Sequence, residues 1–165
     1  MANRGTVSIS SAILTDVMKK YYGSGTFYYE PANDTEKWVY KSTIVDNTSQ
    51  YLFDTGGHQF IEPKTTTTRS GDLAGADKIK FLYIHHTATS DGSTSTNESI
   101  LLTLDDTTVE YNEAKTLEIP RGTSWFARLP NTRLDKVKVR TATSSLGANG
   151  SGNVYCKVYA IIDDI

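Results

Sequence analysis

The sequence predicts an all-β fold: an antiparallel β-sandwich of jelly-roll type, preceded by a short N-terminal arm or helix. Three observations carry this prediction. Thr and Ser together supply 38 of the 165 residues, and ten Tyr join them; Thr and Tyr favour a pleated, half-buried surface. Apolar residues recur at every second position in short segments, the period of a strand with one face turned inward. Polar turn pairs separate those segments at intervals of about 8 to 12 residues, the spacing of a sandwich or barrel.

The elements follow in chain order. Residues 1–30 read as an arm or helix for attachment or oligomerisation, and residues 31–165 as the sandwich. In the arm, Ser10 or Ser11 is placed to cap a helix. On that helix Ile13 and Val17, and Leu14, Met18 and Tyr22, recur at four-residue spacing, and Gly23 would end it. Thr6 to Ser10 also alternates like a short strand. Thr26 to Glu30 is a short aromatic run closed by Pro31. Glu36 to Asp46 predicts a longer strand, with Trp38, Tyr40 and Ile44 on one face and Lys41 and Thr43 on the other. Short strands are expected through Tyr51 to Phe53 and His58 to Ile61, joined by a Gly56-Gly57 turn. Pro63 to Gly75, with four consecutive Thr and no apolar period, reads as a long surface loop or crossing arm.

The C-terminal half is the more regular. Lys78 to His86 is a nearly continuous apolar run, as expected of a central strand buried on both faces. Further strands are expected at Ser99 to Leu104, Thr108 to Tyr111, Thr116 to Ile119, Trp125 to Leu129, Lys136 to Thr143 and Val154 to Ile162. The turns between them are Asp91-Gly92, Asp105-Asp106, Arg121-Gly122, Pro130-Asn131 and Gly147 to Gly152. The last strand sets Val154, Cys156, Val158, Ala160 and Ile162 against Tyr155, Lys157 and Tyr159. The expected core is Val39 or Trp38, Ile79, Phe81, Ile84, Ile100, Leu102, Leu104, Trp125, Leu129, Val137, Val139, Val158 and Ala160.

Charge and cysteine usage narrow the function. Net charge is −2, which excludes a strongly basic nucleic-acid wrapper and an acidic disordered tail. No apolar run is long enough to span a membrane, and Met1 to Thr6 lacks the charged-then-apolar opening of a signal peptide. One Cys allows no intrachain disulfide, and assembly in a reducing cytoplasm follows. Neither a nucleic-acid nor a membrane partner is expected.

Candidate chemistry is sparse. Adjacent His85 and His86 point to opposite faces of a strand and cannot ligate one metal together from it. Asp91 to Glu98 spaces oxygen atoms at alternate positions, but its Gly and its carboxylates fall at the wrong places for a calcium loop. No G-x-S-x-G elbow, phosphate loop or dinucleotide fingerprint occurs. Asp105-Asp106 and Asp163-Asp164 sit in a turn and at the terminus, where solvated acids are ordinary. Lys136, Lys138 and Arg140 alternate with Val137 and Val139. They form either a solvent face or a contact for an acidic protein surface. The residues therefore predict no catalytic role, no metal and no cofactor.

Several segments together resemble virion structural proteins of marine tailed phages, those infecting cyanobacteria in particular. They are Glu36-Lys37-Trp38-Val39-Tyr40-Lys41-Ser42-Thr43, then Lys78 to Thr87 followed by Asp91-Gly92, then Trp125 to Thr132, and the ending Ala160 to Asp164. The likeness covers roughly residues 30 to 165. It implies a capsid decoration or cement protein on the outer surface of the head, made in the host cytoplasm and bound to the major capsid protein. A homo-oligomer, with a trimer favoured, would suit the threefold junctions of a shell. A tail, neck or fibre component is the alternative within that class. A carbohydrate-binding module, with Trp38, Trp125 and the tyrosines stacking on sugars, is the alternative outside it. The expected capsid or oligomer contacts are Ile13, Leu14, Val17, Met18, Tyr21 and Tyr22 in the arm, with Thr65, Thr66 and Arg69 in the Pro63 to Gly75 segment.

Overall fold

The computed structural model describes residues 5–12, 22–29, 36–53, 57–62, 67–111, 114–143 and 148–163. Two antiparallel sheets form a sandwich, and a separate hairpin precedes them. The hairpin is β1 (Gly5–Ala12) and β2 (Tyr22–Tyr29). The larger sheet has six strands: β3 (Glu36–Val45), β5 (Gly57–Glu62), β6 (Thr67–Asp72), β7 (Lys78–Thr89), β10 (Ser124–Arg133) and β13 (Val154–Asp163), in the order β10-β7-β13-β3-β5-β6. The smaller sheet is centred on β11 (Lys138–Thr143) and β8 (Ser99–Thr103). The three-residue strand β9 (Leu117–Ile119) pairs with β8, while β4 (Gln50–Tyr51) and β12 (Ala148–Asn149) share the other side of β11. The chain crosses between the sheets at β3–β4, β4–β5, β7–β8, β9–β10, β10–β11 and β12–β13.

The core lies between the two sheets. Val39 and Val45 of β3, Ile79, Leu82 and Ile84 of β7, and the alternating Val154, Cys156, Val158, Ala160 and Ile162 of β13 come from one side. Ile100, Leu102, Ile119 and Val139 come from the other. The long apolar run in β7 is explained by a β-bulge. Ile79 pairs with Ile162 and Phe81 with Ile161, which leaves Lys80 as the extra residue. Beyond the bulge Leu82 and Ile84 face inward, while Phe81 turns outward against Ile161.

Several expectations are corrected. The proposed helix caps Ser10 and Ser11 and the stop at Gly23 lie in strands, where Ser10 pairs with Ser24 and Ser11 with Gly23. Cross-strand pairing takes these three positions, in line with the alternation read from Thr6 to Ser10. The intervening residues 13–21 lie outside the described residues. Much of the expected Pro63 to Gly75 loop is strand: Thr67–Asp72 pairs residue by residue with β5, because an edge ladder is held by backbone hydrogen bonds and needs no apolar period. Trp38 is not in the inter-sheet core. Val39 takes that place, and Trp38 lies on the outer face against Phe81 and Ile161. Thr108 to Tyr111 is not a strand; side-chain acceptors and the Arg140 guanidinium hold its backbone, and Val109 packs down on Leu101 and Ala142. The expected Pro130-Asn131 turn lies inside β10, where the register slips between Arg128 and Thr132. An edge strand tolerates a proline there. The strand expected from Lys136 opens instead with a 3-10 turn, Leu134–Lys136, that buries Leu134.

The turn glycines behave as the sequence implies. Gly92 and Gly122 have φ of 97° and 70°, a region that favours Gly.

Candidate functional site

The outer face of the six-stranded sheet carries the most distinctive arrangement. Register places Tyr40 of β3 opposite Tyr159 of β13, Tyr159 opposite Tyr83 of β7, and Tyr83 opposite Phe126 of β10. Four aromatic residues thus form one row across four neighbouring strands. The Tyr40 and Tyr159 ring centroids are 4.7 Å apart at 39°, and those of Tyr83 and Tyr159 are 5.7 Å apart at 65°. The row below is Trp38, Ile161, Phe81 and Arg128, and the row above is Ser42, Lys157, His85 and Ser124. Tyr40 and Tyr159 remain 50% and 47% exposed, and Ile44 on the same face of β3 is 46% exposed.

The polar rim of this face is hydrogen-bonded within itself. Ser124 Oγ lies 2.9 Å from both the Tyr83 hydroxyl and His85 Nδ1. The Tyr40 hydroxyl lies 3.4 Å from Ser42 Oγ. Ser124 and His85 form a hydroxyl–imidazole pair, but no carboxylate among the described residues orients the ring as a hydrolytic triad would require.

The smaller sheet treats its outer face differently. Val109 and Tyr111 cover Leu101 and Ala142. The segment carrying them is tied down by Val109 N–H to Ser49 Oγ (3.1 Å), Tyr111 N–H to Asn149 Oδ1 (2.8 Å) and Arg140 Nη1 to the Val109 carbonyl (3.2 Å). Lys138 and Lys136 reach Asp106 at 2.9 and 3.2 Å. Those contacts, that of Lys138 first, hold the Asp106 carboxyl down at about 2. The basic stripe seen in the sequence is therefore engaged inside the molecule, clamping this strap.

The other candidates resolve into structural roles. His85 and His86 do point to opposite faces. His86 is fully buried: its Nε2–H donates to the Glu98 carbonyl (2.8 Å), and its Nδ1 accepts from the Ala88 N–H (2.9 Å). Burial holds its pKa below the ordinary value. Asp91 accepts from the backbone N–H of Ser93 and Thr94 and from both their hydroxyls, so its oxygens staple a turn. Those bonds, the Thr94 N–H first, push its pKa down. Glu98 is taken separately by Thr143 Oγ1 at 2.9 and 3.1 Å. No group of three metal-ligating side chains occurs among the described residues. Asp105 accepts from Lys115 and Thr107, which lower it to about 2. Cys156 is buried in the core, and desolvation pushes its thiol up to about 12. A pocket of about 370 Å³ is lined by Tyr51, Phe53, Leu73, Ala74, Leu134 and Asp135. Its carboxylate is already paired with Arg133.

Of the contact residues expected from sequence, Tyr22 lies at the start of β2 and Arg69 in β6. Ile13, Leu14, Val17, Met18, Tyr21, Thr65 and Thr66 lie outside the described residues. The tyrosine row was missed as a unit. Its alternation was visible in each strand, but only register puts Tyr40, Tyr159 and Tyr83 side by side. No protein-family model matches the chain, and no curated protein or solved structure is significantly similar to it.

Proposed function

We propose that this chain is a structural protein of a tailed-phage virion. In this reading it is a non-catalytic decoration or cement protein that binds the major capsid protein on the outer surface of the head. The observation that carries the proposal is a row of half-exposed aromatic rings, together with a hairpin that pairs with neither sheet. The β1–β2 hairpin joins neither sheet of the sandwich, and a two-stranded hairpin is marginal in water by itself. The tyrosine row leaves large aromatic rings about half exposed, and exposed apolar patches of this kind mark association. Such surfaces suit a protein that works inside an assembly. The resemblance to cyanophage virion proteins supplies the kind of assembly. An oligomer seated on a repeating shell, a trimer at threefold junctions in particular, would multiply weak contacts into avidity.

The test is direct. Purified protein added to undecorated heads should appear in cryo-EM maps as ordered density on the outer capsid surface. Binding to tails but not heads would move the protein to the tail, neck or fibre. Binding to neither would refute a virion role.

A carbohydrate-binding reading draws on the same tyrosines. Two features weigh against it. The rings tilt against one another instead of forming a coplanar platform, and Trp125 packs against the main core. A glycan array should therefore show no binding. Signal that disappears in Tyr83→Ala and Tyr159→Ala would reinstate the module.

A further inference from the structure

We propose that Asn149 is a site of spontaneous modification, where the side-chain amide closes on the backbone nitrogen of Gly150. The hold of β12 on β11, and of Asn149 on the strap that carries Val109 and Tyr111, sets the rate. The chain has a single Asn-Gly pair, Asn149-Gly150. Glycine has no side chain to obstruct such a ring closure and leaves the backbone free to turn, so this pair is the most prone to it.

Two separate demands of the fold put the pair there. Asn149 anchors the strap: its Oδ1 accepts from the Tyr111 N–H at 2.8 Å, while Ser49 Oγ accepts from the Val109 N–H at 3.1 Å. Gly150 is required by packing. It is buried, and a Cβ placed on it would stand 2.5 Å from Glu98 Oε2 and Thr141 Oγ1. A labile pair is thus built into the smaller sheet.

The same contacts restrain it. The nucleophile is the Gly150 nitrogen, and its N–H donates to the Thr141 carbonyl at 2.8 Å. The electrophile is Asn149 Cγ, whose oxygen is fixed on Tyr111 and whose backbone lies opposite Ala142 in the ladder. That ladder is only two residues long on the β12 side, so it opens locally at low cost. In the open form the Gly150 nitrogen bonds to Asn149 Cγ. The bond from Cγ to the side-chain nitrogen breaks, and that nitrogen leaves as ammonia with the Gly150 proton. Water then opens the cyclic imide at either carbonyl, giving aspartate or isoaspartate, with nothing oxidised or reduced.

Both products loosen the strap. Aspartate brings a negative charge beside the Glu98 carboxylate, which lies against Gly150. Isoaspartate adds a carbon to the backbone of β12, breaks its register with Ala142 and takes the acceptor from the Tyr111 N–H. The cover over Leu101 and Ala142, now buried beneath Val109 and Tyr111, is then held by fewer bonds. This inference does not depend on a capsid, so it is tested on free protein.

The experiment ages the full chain in neutral buffer at physiological temperature, beside a free peptide of residues 145–154. Peptide mapping by mass spectrometry follows acid and isoaspartate at Asn149. Conversion in the full chain should be slower than in the peptide by between about tenfold and about a hundredfold. Exchange of the Gly150 amide should be slowed by a similar factor, because one opening exposes both. Ser49→Ala, which removes the acceptor of the Val109 N–H, should convert about twofold to tenfold faster than wild type, the change expected of one lost hydrogen bond. In aged wild type the Val109 and Tyr111 amides should exchange faster than in fresh protein. Conversion as fast as in the peptide, none after a hundred peptide half-lives, or unchanged Tyr111 exchange after conversion would each overturn the proposal. So would a folded Ser49→Ala that converts at the wild-type rate. The wild-type measurements stand without any variant.

Discussion

Lowering the pH through 6.5 should destabilise this protein through one residue, His86. In the folded chain both its ring nitrogens are committed, Nε2–H to the Glu98 carbonyl and Nδ1 to the Ala88 N–H. A second proton would have to go on Nδ1, where it would face an N–H donor inside a buried pocket. His85 and Arg121 add unfavourable charge to the same form. Cys156, opposite His86 in the ladder, remains a neutral thiol because burial raises its pKa to about 12. The folded-state pKa of His86 is thus depressed, while the unfolded chain takes up the proton near 6.5. Stability is therefore full above 6.5 and falls as pH drops below it, by about 1.4 kcal/mol per pH unit, until the folded pKa is reached. For an m-value of about 2 kcal/mol/M, each pH unit within that window lowers the urea midpoint by about 0.7 M. Asp105 and Asp106, both lowered to about 2, act in a separate window. Their contribution is present above 3.8 and is lost as pH falls from 3.8 toward 2. Urea unfolding followed by Trp fluorescence at pH 7.5, 6.5, 5.5 and 4.5, on wild type and His86→Gln, isolates the histidine. The variant should start less stable, because replacing the ring disturbs two buried hydrogen bonds, and its pH slope should be smaller by about one proton. Equal slopes in the two proteins would refute the argument.

Three further outcomes are expected. Leu102→Ala, fully buried at the centre of β8, should cost about 2–5 kcal/mol in equilibrium unfolding; a loss below about 0.5 kcal/mol would place the residue outside the core. Gly150→Ala should destabilise by about 1–3 kcal/mol, since an added Cβ would meet Glu98 Oε2 and Thr141 Oγ1 at 2.5 Å and the Thr141 backbone carbon at 2.7 Å; unchanged melting would show that the β12–β13 connection shifts freely. Cys156 should resist iodoacetamide at pH 8 in the native protein and react fully in denaturant, since its thiol is buried with its pKa raised to about 12; rapid native labelling would mean that the sandwich opens at β13.

What the sequence made legible was what each strand carries by itself. The alternation of Val154, Cys156, Val158, Ala160 and Ile162 named the inner face of β13 directly, and Asp91-Gly92 and Arg121-Gly122 named their turns. Trp38 and Val39 could not be ranked from alternation alone, because period two gives the phase of β3 but not which phase meets the second sheet. Lys80 was invisible as a bulge, since an extra residue in a long apolar run leaves the run looking continuous. Leu52 and Phe53, expected in a short strand, lie just past the end of β4, and Leu73 and Leu134 belong to no strand; all four are buried, and no period announced that burial. The site fared worse for the same reason. A row of aromatics across strands is a property of register, and register is set by long-range pairing.

The contrast between the two outer sheet faces connects fold to function. Both faces carry apolar residues that alternation forces outward: Leu101 and Ala142 on the smaller sheet, and Phe81, Ile161, Tyr83 and Tyr159 on the larger. The smaller sheet is covered by the chain itself. Covering it takes the segment between β8 and β9, Val109 as the apolar plug, and Lys136, Lys138 and Arg140 as clamps. The larger sheet buries Phe81 and Ile161 at 6% and 8% exposure yet leaves Tyr40 and Tyr159 open. Tyrosine is the side chain suited to such a position, because its ring gives contact area and its hydroxyl tolerates water before the contact forms. A face of tyrosines can therefore stay soluble in the free chain and still lose water favourably when another surface arrives. Phe at the same positions would serve a permanent core, and Thr would serve a permanent solvent face. Tyr at 40, 83 and 159 stands between those two cases, with its ring against its neighbours in the row and part of its surface open to water.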